Sequence, residues 1–243
     1  MNTELVLLQV SSAGLAAWLQ RVGLFVGSTL MRHDEEMIYH PVRVTALHGD
    51  VVVPAGLASK VLVHLDEGDR LPLVEMTRGT TGHIETMTCG RGCVRALSKL
   101  GLKEEVKVTC VRQLPHMDYL TIIDRRARTR ITEGEAAHIW GRVEGEKPTQ
   151  FYFARQGQPF EVLDVIGGQR AKKHLKTHGI TPGKELILET IEQANELHKP
   201  SRRVVIITSP GGLRLYLDES QAQQIVVKHV EHPARPTQKT DNR

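Results

Sequence analysis

Apolar positions along the chain switch between two periods. Leu15, Trp18, Leu19 and Val22 recur at helical spacing, which predicts an amphipathic helix over 15–22. Short strand-like runs follow at 29–31, 42–44 and 51–53, and the His48-Gly49-Asp50 turn separates the last two as strands. A short helical block then leads into a closing strand at 61–63. The same succession is written three times. Leu-x-x-x-Gly-[Leu/Ile] occurs at 19–24, 97–102 and 175–180, and its glycines Gly23, Gly101 and Gly179 are 78 residues apart, twice. Each glycine stands where a left-handed residue would end a helix without a Cβ penalty. The helical block repeats around Ala58, Ala136 and Ala222, spaced 78 and then 86. The third copy therefore carries about eight extra residues, which the polar stretch 194–201 accommodates.

This pattern predicts a mainly β protein of three tandem small β-barrels, each with one short helix. The expected boundaries are 1–66, 71–144 and 151–230, followed by a polar, disordered tail at 231–243. Copies two and three open on a lead-in strand, 73–79 and 151–157. Subtracting the repeat length from Gly79 lands on Met1, so the first copy is expected to lack that strand. Its bare edge calls for a cover, either a neighbouring copy or a second chain through self-association.

Composition adds modest constraints. Aromatic residues make up 4% of the chain, so the cores must be built from Val, Leu, Ile and Ala. The net charge of +4 permits an anionic partner without demanding one. Three cysteines, no basic leader region and no long apolar run predict a cytoplasmic protein with reduced thiols, not inserted in a membrane.

The helix-Leu-Gly-Leu-x-x-Gly segment, the strands after it and Leu-x-x-x-x-Ala-x-x-Ile-x-Val together resemble the FeoA family, the small cytosolic component of bacterial ferrous iron transport. In the third copy the resemblance runs through His178-Gly179-Ile180-Thr181-Pro182-Gly183 and residues 215–227. In the second it runs through Gly79, Gly82, Ile84, Leu97, Gly101, Leu102, Ala136 and Ile139. The resemblance implies SH3-like barrels. It also implies a non-enzymatic accessory role, docking on the cytosolic part of a FeoB-like ferrous iron permease. A metal-sensing regulatory module binding Fe(II) or Zn(II) through Cys and His is the alternative.

Candidate contact residues for a partner are Arg91, Arg95 and Lys99, a basic helical stripe, with Gly101, Leu102, Gly179 and Gly183 of the helix-glycine segments. Further basic clusters lie at 125–130 and 170–176, but no aromatics accompany them for base stacking, so nucleic acid is not the expected partner. Candidate metal ligands are Cys89 and Cys93, and the pair His174 and His178, whose i, i+4 spacing places both imidazoles on one helix face. The competing reading of Cys93 is a core thiol, since it aligns with Leu15 and Ala171. The His pair aligns with Trp18/Val22 and Ala96/Leu100 on a packing face. No phosphate-cradling loop, nucleophile elbow or paired catalytic carboxylates stand out, and no enzyme is expected.

Overall fold

A computed structural model describes residues 3–33, 40–194 and 204–230. The first repeat runs β1 (Thr3–Val10), α1 (Ala13–Arg21), β2 (Thr29–His33), β3 (Val42–Ala46), β4 (Gly49–Val53), α2 (Ala55–Ala58) and β5 (Val61–Leu65). The second runs β6 (Arg70–Pro72), β7 (Thr81–Met87), α3 (Arg91–Lys99), β8 (Lys107–Gln113), β9 (Met117–Ile123), β10 (Ala127–Thr132), α4 (Glu133–His138) and β11 (Ile139–Arg142). The third runs β12 (Thr149–Gln150), β13 (Pro159–Val165), α5 (Gln169–Thr177), β14 (Glu185–Gln193), β15 (Val204–Thr208), β16 (Arg214–Asp218), α6 (Glu219–Ala222) and β17 (Ile225–His229). The tail 231–243 and most of the stretch 194–201 lie outside the described residues.

The long helices form where the periodicity places them. Ser12 caps α1, its hydroxyl accepting from the Leu15 amide, and Leu15, Trp18 and Leu19 are buried. Gly23, Gly101 and Gly179 all adopt positive φ just past the helix ends, as their position requires.

The sheets depart from the expected plan of one barrel per repeat. The described residues form three open sheets, ordered β4-β3-β8-β7-β5-β6, β10-β9-β14-β13-β11-β12 and β16-β15-β2-β1-β17. All three share one topology: hairpin, strand after the helix, strand before the helix, closing strand. In each, the hairpin and closing strand come from one repeat and the helix-bearing pair from another. The first sheet joins repeats one and two, the second joins two and three, and the third joins the last repeat to the first. In the middle repeat Leu114-Pro115-His116 separates β8 from β9, and the two strands do not fold back on each other. Strand β8 pairs with β3 instead, and β9 pairs with β14.

By internal packing the chain separates into two compact units. One contains 1–35 and 202–243, hence the third sheet; the other, 36–201, contains the first two. The lead-in strands expected at 73–79 and 151–157 are not strands; the short ladders β6 and β12 precede those spans. After β6 and β12 the chain turns into single 3₁₀ turns, Leu73–Glu75 and Phe151–Phe153. Each turn drives an apolar plug inward. Leu73 and Phe151 are fully buried, and Phe151 meets Phe160 edge-to-face at 5.1 Å in the core of the second sheet.

The third sheet has five strands among the described residues and no counterpart of β6 or β12. The effect shows on the closing strand. Leu62 and Val63 of β5 pair with Pro72 and Leu71 and are buried; their counterparts Val226 and Val227 of β17 are 47% and 37% exposed.

Within the second unit the two sheets are stitched by one carboxamide. Gln150 is fully buried. Its Oε1 accepts from the Val52 amide at 2.8 Å, and its Nε2 donates to the carbonyls of Val52 and Ala137, each at 2.7 Å. The side chain thus pairs with the outer edge of β4 as a neighbouring strand would. Gln150→Leu keeps the volume and orphans three backbone groups, so it should destabilise the protein by about 3 kcal/mol, read from urea denaturation.

Candidate functional site

The convergent chemistry lies on the second sheet, where α4 of one repeat meets α5 of the next. Helix α4 opens on a capping box: the Thr132 hydroxyl accepts from the Glu135 amide at 3.1 Å, and Glu135 Oε2 accepts from the Thr132 amide at 2.7 Å. This fixes the Glu135 carboxylate and leaves Oε1 free to face α5, where it contacts His174 Nε2. His178 is the C-cap residue of α5 and stands one turn beyond His174. The two rings lie edge-to-face, 5.0 Å apart. Nδ1 of His178 is 2.9 Å from the Thr129 hydroxyl of β10. The candidate ligand atoms of Glu135, His174 and His178 all lie within 4.8 Å of one another. The Glu135 side chain is 17% exposed and that of His174 58%, so the group is anchored on one side and open to solvent on the other.

The predicted His pair is therefore brought together, and a carboxylate joins it. Glu135 was legible as a helix-capping residue, through Thr-x-x-Glu at 132–135. Its meeting with a helix 39 residues downstream follows from the strand exchange, which no local pattern announces.

The cysteines behave differently. Cys89 and Cys93 are joined in a disulfide across the start of α3, and Cys110 is a buried free thiol that burial pushes above its ordinary pKa. The expectation of three reduced thiols is thus corrected, and in this form Cys89 and Cys93 offer no thiolate to a metal.

The basic stripe is only partly available. Arg91 and Arg95 are exposed on α3, whereas Lys99 is paired with Asp164 of β13. Burial raises the Asp164 pKa, but Lys99, the Val165 amide and Lys172 outweigh it and hold the carboxyl below its usual range. Arg125, Arg128 and Arg130 pair with Glu185, Glu189, Asp118 and Glu192, so this cluster is largely neutralised along the strands. Leu102 is fully buried and Gly101 is buried too, with any added Cβ 2.8 Å from the His48 ring. These two are packing residues, which removes them from a contact surface. Gly179 and Gly183 remain exposed.

Residues 71–143 match the family model of the FeoA domain. No curated protein and no solved structure matches the chain. The matched segment covers β6 to β11, a stretch continuous in sequence whose first half sits in the first sheet and second half in the second. Among the described residues no helix is long and apolar enough to cross a membrane.

His138, one turn after Glu135, supplies a pH prediction. Burial lowers its pKa below the ordinary 6.5, against the opposing pull of the Ile166 carbonyl, which its Nδ1 meets at 2.6 Å, and of Glu135. The unfolded chain therefore binds a proton that the folded one refuses. The contribution of neutral His138 is full above pH 6.5 and is lost as the pH falls from there toward the depressed folded value. Urea denaturation in stepped buffers should show stability declining over that window, with a shallower decline in His138→Gln.

Proposed function

We propose that this protein is a non-enzymatic accessory component of ferrous iron transport that works by docking on the cytosolic part of a FeoB-like permease. The FeoA domain at 71–143 carries the reading, since that domain family belongs to ferrous iron transport. The exposed guanidinium groups of Arg91 and Arg95 support a docking role: they lie on α3, inside the matched segment, and suit an acidic partner surface. The exposed glycine turn at Gly179 and Gly183 offers a second contact segment, in the third repeat. A docking protein of this kind works on the cytoplasmic face of the membrane and needs no span of its own.

The test is capture of the full chain by the permease's isolated cytosolic part, measured by surface plasmon resonance at two salt concentrations. Binding is expected, with an affinity that falls as salt rises. The double variant Arg91→Glu/Arg95→Glu should weaken it by roughly tenfold, mostly through the association rate. No binding at low salt would overturn the docking reading.

A further inference from the structure

The three repeats provide an internal comparison at the Glu135 cluster. The helix N-caps Pro54, Thr132 and Asp218 fix one register, and the C-caps Val22, Leu100 and His178 fix the other. In that register the four residues of the second sheet are Thr129, Glu135, His174 and His178. The first sheet carries Val51, Leu57, Ala96 and Leu100 at the same positions, and the third carries Leu215, Gln221, Trp18 and Val22. Val51, Ala96, Leu100, Leu215, Trp18 and Val22 are all buried. The second sheet thus carries two imidazoles and a hydroxyl where both other sheets bury apolar side chains, and a carboxylate where they have Leu57 and the capping Gln221; the four residues come from two different repeats and meet at one place. A polar residue arriving alone on that face would have left the other positions apolar.

We propose that Glu135, His174 and His178 form a binding site for one divalent first-row transition-metal ion, of the Fe(II) and Zn(II) class. Two imidazoles and a carboxylate are the donor set these ions take when positions are left for water or an exchanging ligand. Ligand bonds of about 2.1 Å place neighbouring donors about 3 Å apart, so atoms already within 4.8 Å need only side-chain rotations to close on an ion. Two of the ligands are held from behind. The capping box uses Glu135 Oε2 and aims Oε1 at His174. Thr129 holds His178 Nδ1, and when that nitrogen donates to the hydroxyl, Nε2 presents its lone pair. The exposure of His174 suits an ion that is taken up and released rather than sealed in. The site deepens the iron-transport reading and rests on it only for the identity of the cargo; metal binding itself is independent of permease docking.

The repeats also supply the control substitutions. His174→Ala and His178→Leu install what the second repeat has on α3, Glu135→Gln what the third has on α6, and Thr129→Val what the first has on β4. Glu135→Gln keeps the capping box, because Gln221 completes the same box with Asp218. The metal-free full chain is titrated with Co(II) by visible absorption, then with Zn(II) by competition and with Fe(II) anaerobically. The Cys89–Cys93 disulfide is left intact so that no thiolate competes. One ion per chain is expected. Each of the three ligand variants should bind more than about 100-fold more weakly, and Thr129→Val roughly tenfold more weakly, with circular dichroism unchanged. Absence of saturable binding would leave the group as a surface ion pair and overturn the proposal. Affinity unmoved by all three ligand variants would do the same by placing the ion elsewhere. Permease capture is read separately, so failure of docking leaves this result standing.

Discussion

The pairing of a helix-following strand with a hairpin from another repeat is the contact on which the architecture hangs. Strand β8 lies against β3, β14 against β9, and β2 against β15. Without these ladders each hairpin would expose one long edge and each helix-bearing pair another, and a repeat of this size has too little apolar surface to compensate. The burial of Gln150 follows from the same arrangement: β4 ends up at a sheet edge beside the neighbouring sheet, and its backbone needs a partner that β12 provides through a side chain.

Sequence periodicity captured what is local. The helices at 15–22 and its counterparts, the left-handed glycines and the Ala58/Ala136/Ala222 blocks all stand where the repeat predicted, because each depends on residues within a turn or two of itself. The partner choice of a strand is different. An alternating run records which face is buried and says nothing about which repeat supplies the neighbour. Thus β1, β7 and β13 went unassigned: Thr81-Gly82-His83-Ile84-Glu85-Thr86 mixes polar residues into a strand that becomes central only through contacts made elsewhere. The lead-in segments misled for a local reason. Pro72 caps a 3₁₀ turn at Leu73–Glu75, and the segment serves by inserting Leu73 rather than by prolonging a ladder.

The same distinction runs through the candidate site. The spacing of His174 and His178 is a property of one helix and could be read directly. Glu135 was visible in its capping role, and the carboxylate's second oxygen gained a role only when α5 was laid beside α4. The basic clusters illustrate the converse. Arg125, Arg128 and Arg130 look like an anionic binding surface in the sequence, but strand pairing places the glutamates of β14 alongside them, so most of that charge is answered within the sheet.

The third sheet joins strands of residues 3–33 to strands of residues 204–230. Leu5 lies opposite His229, Val10 opposite Ile225, and the Val230 amide donates to the Glu4 carbonyl. During synthesis β1, α1 and β2 are made before residues 36–201 and their partners β15, β16 and β17 after them. The intervening residues 36–201 can fold in order as they emerge, each sheet closing when the next repeat is delivered. Strands β1 and β2, with Leu5, Leu7 and Leu30 destined for burial, remain unsatisfied for that interval, the longest loop closure among the described strands. A chain that has made 36–201 but not yet β15, β16 and β17 holds a folded middle and an open edge at β1 and β2, so residues 204–230 carry the closure that every earlier strand of that sheet waits for.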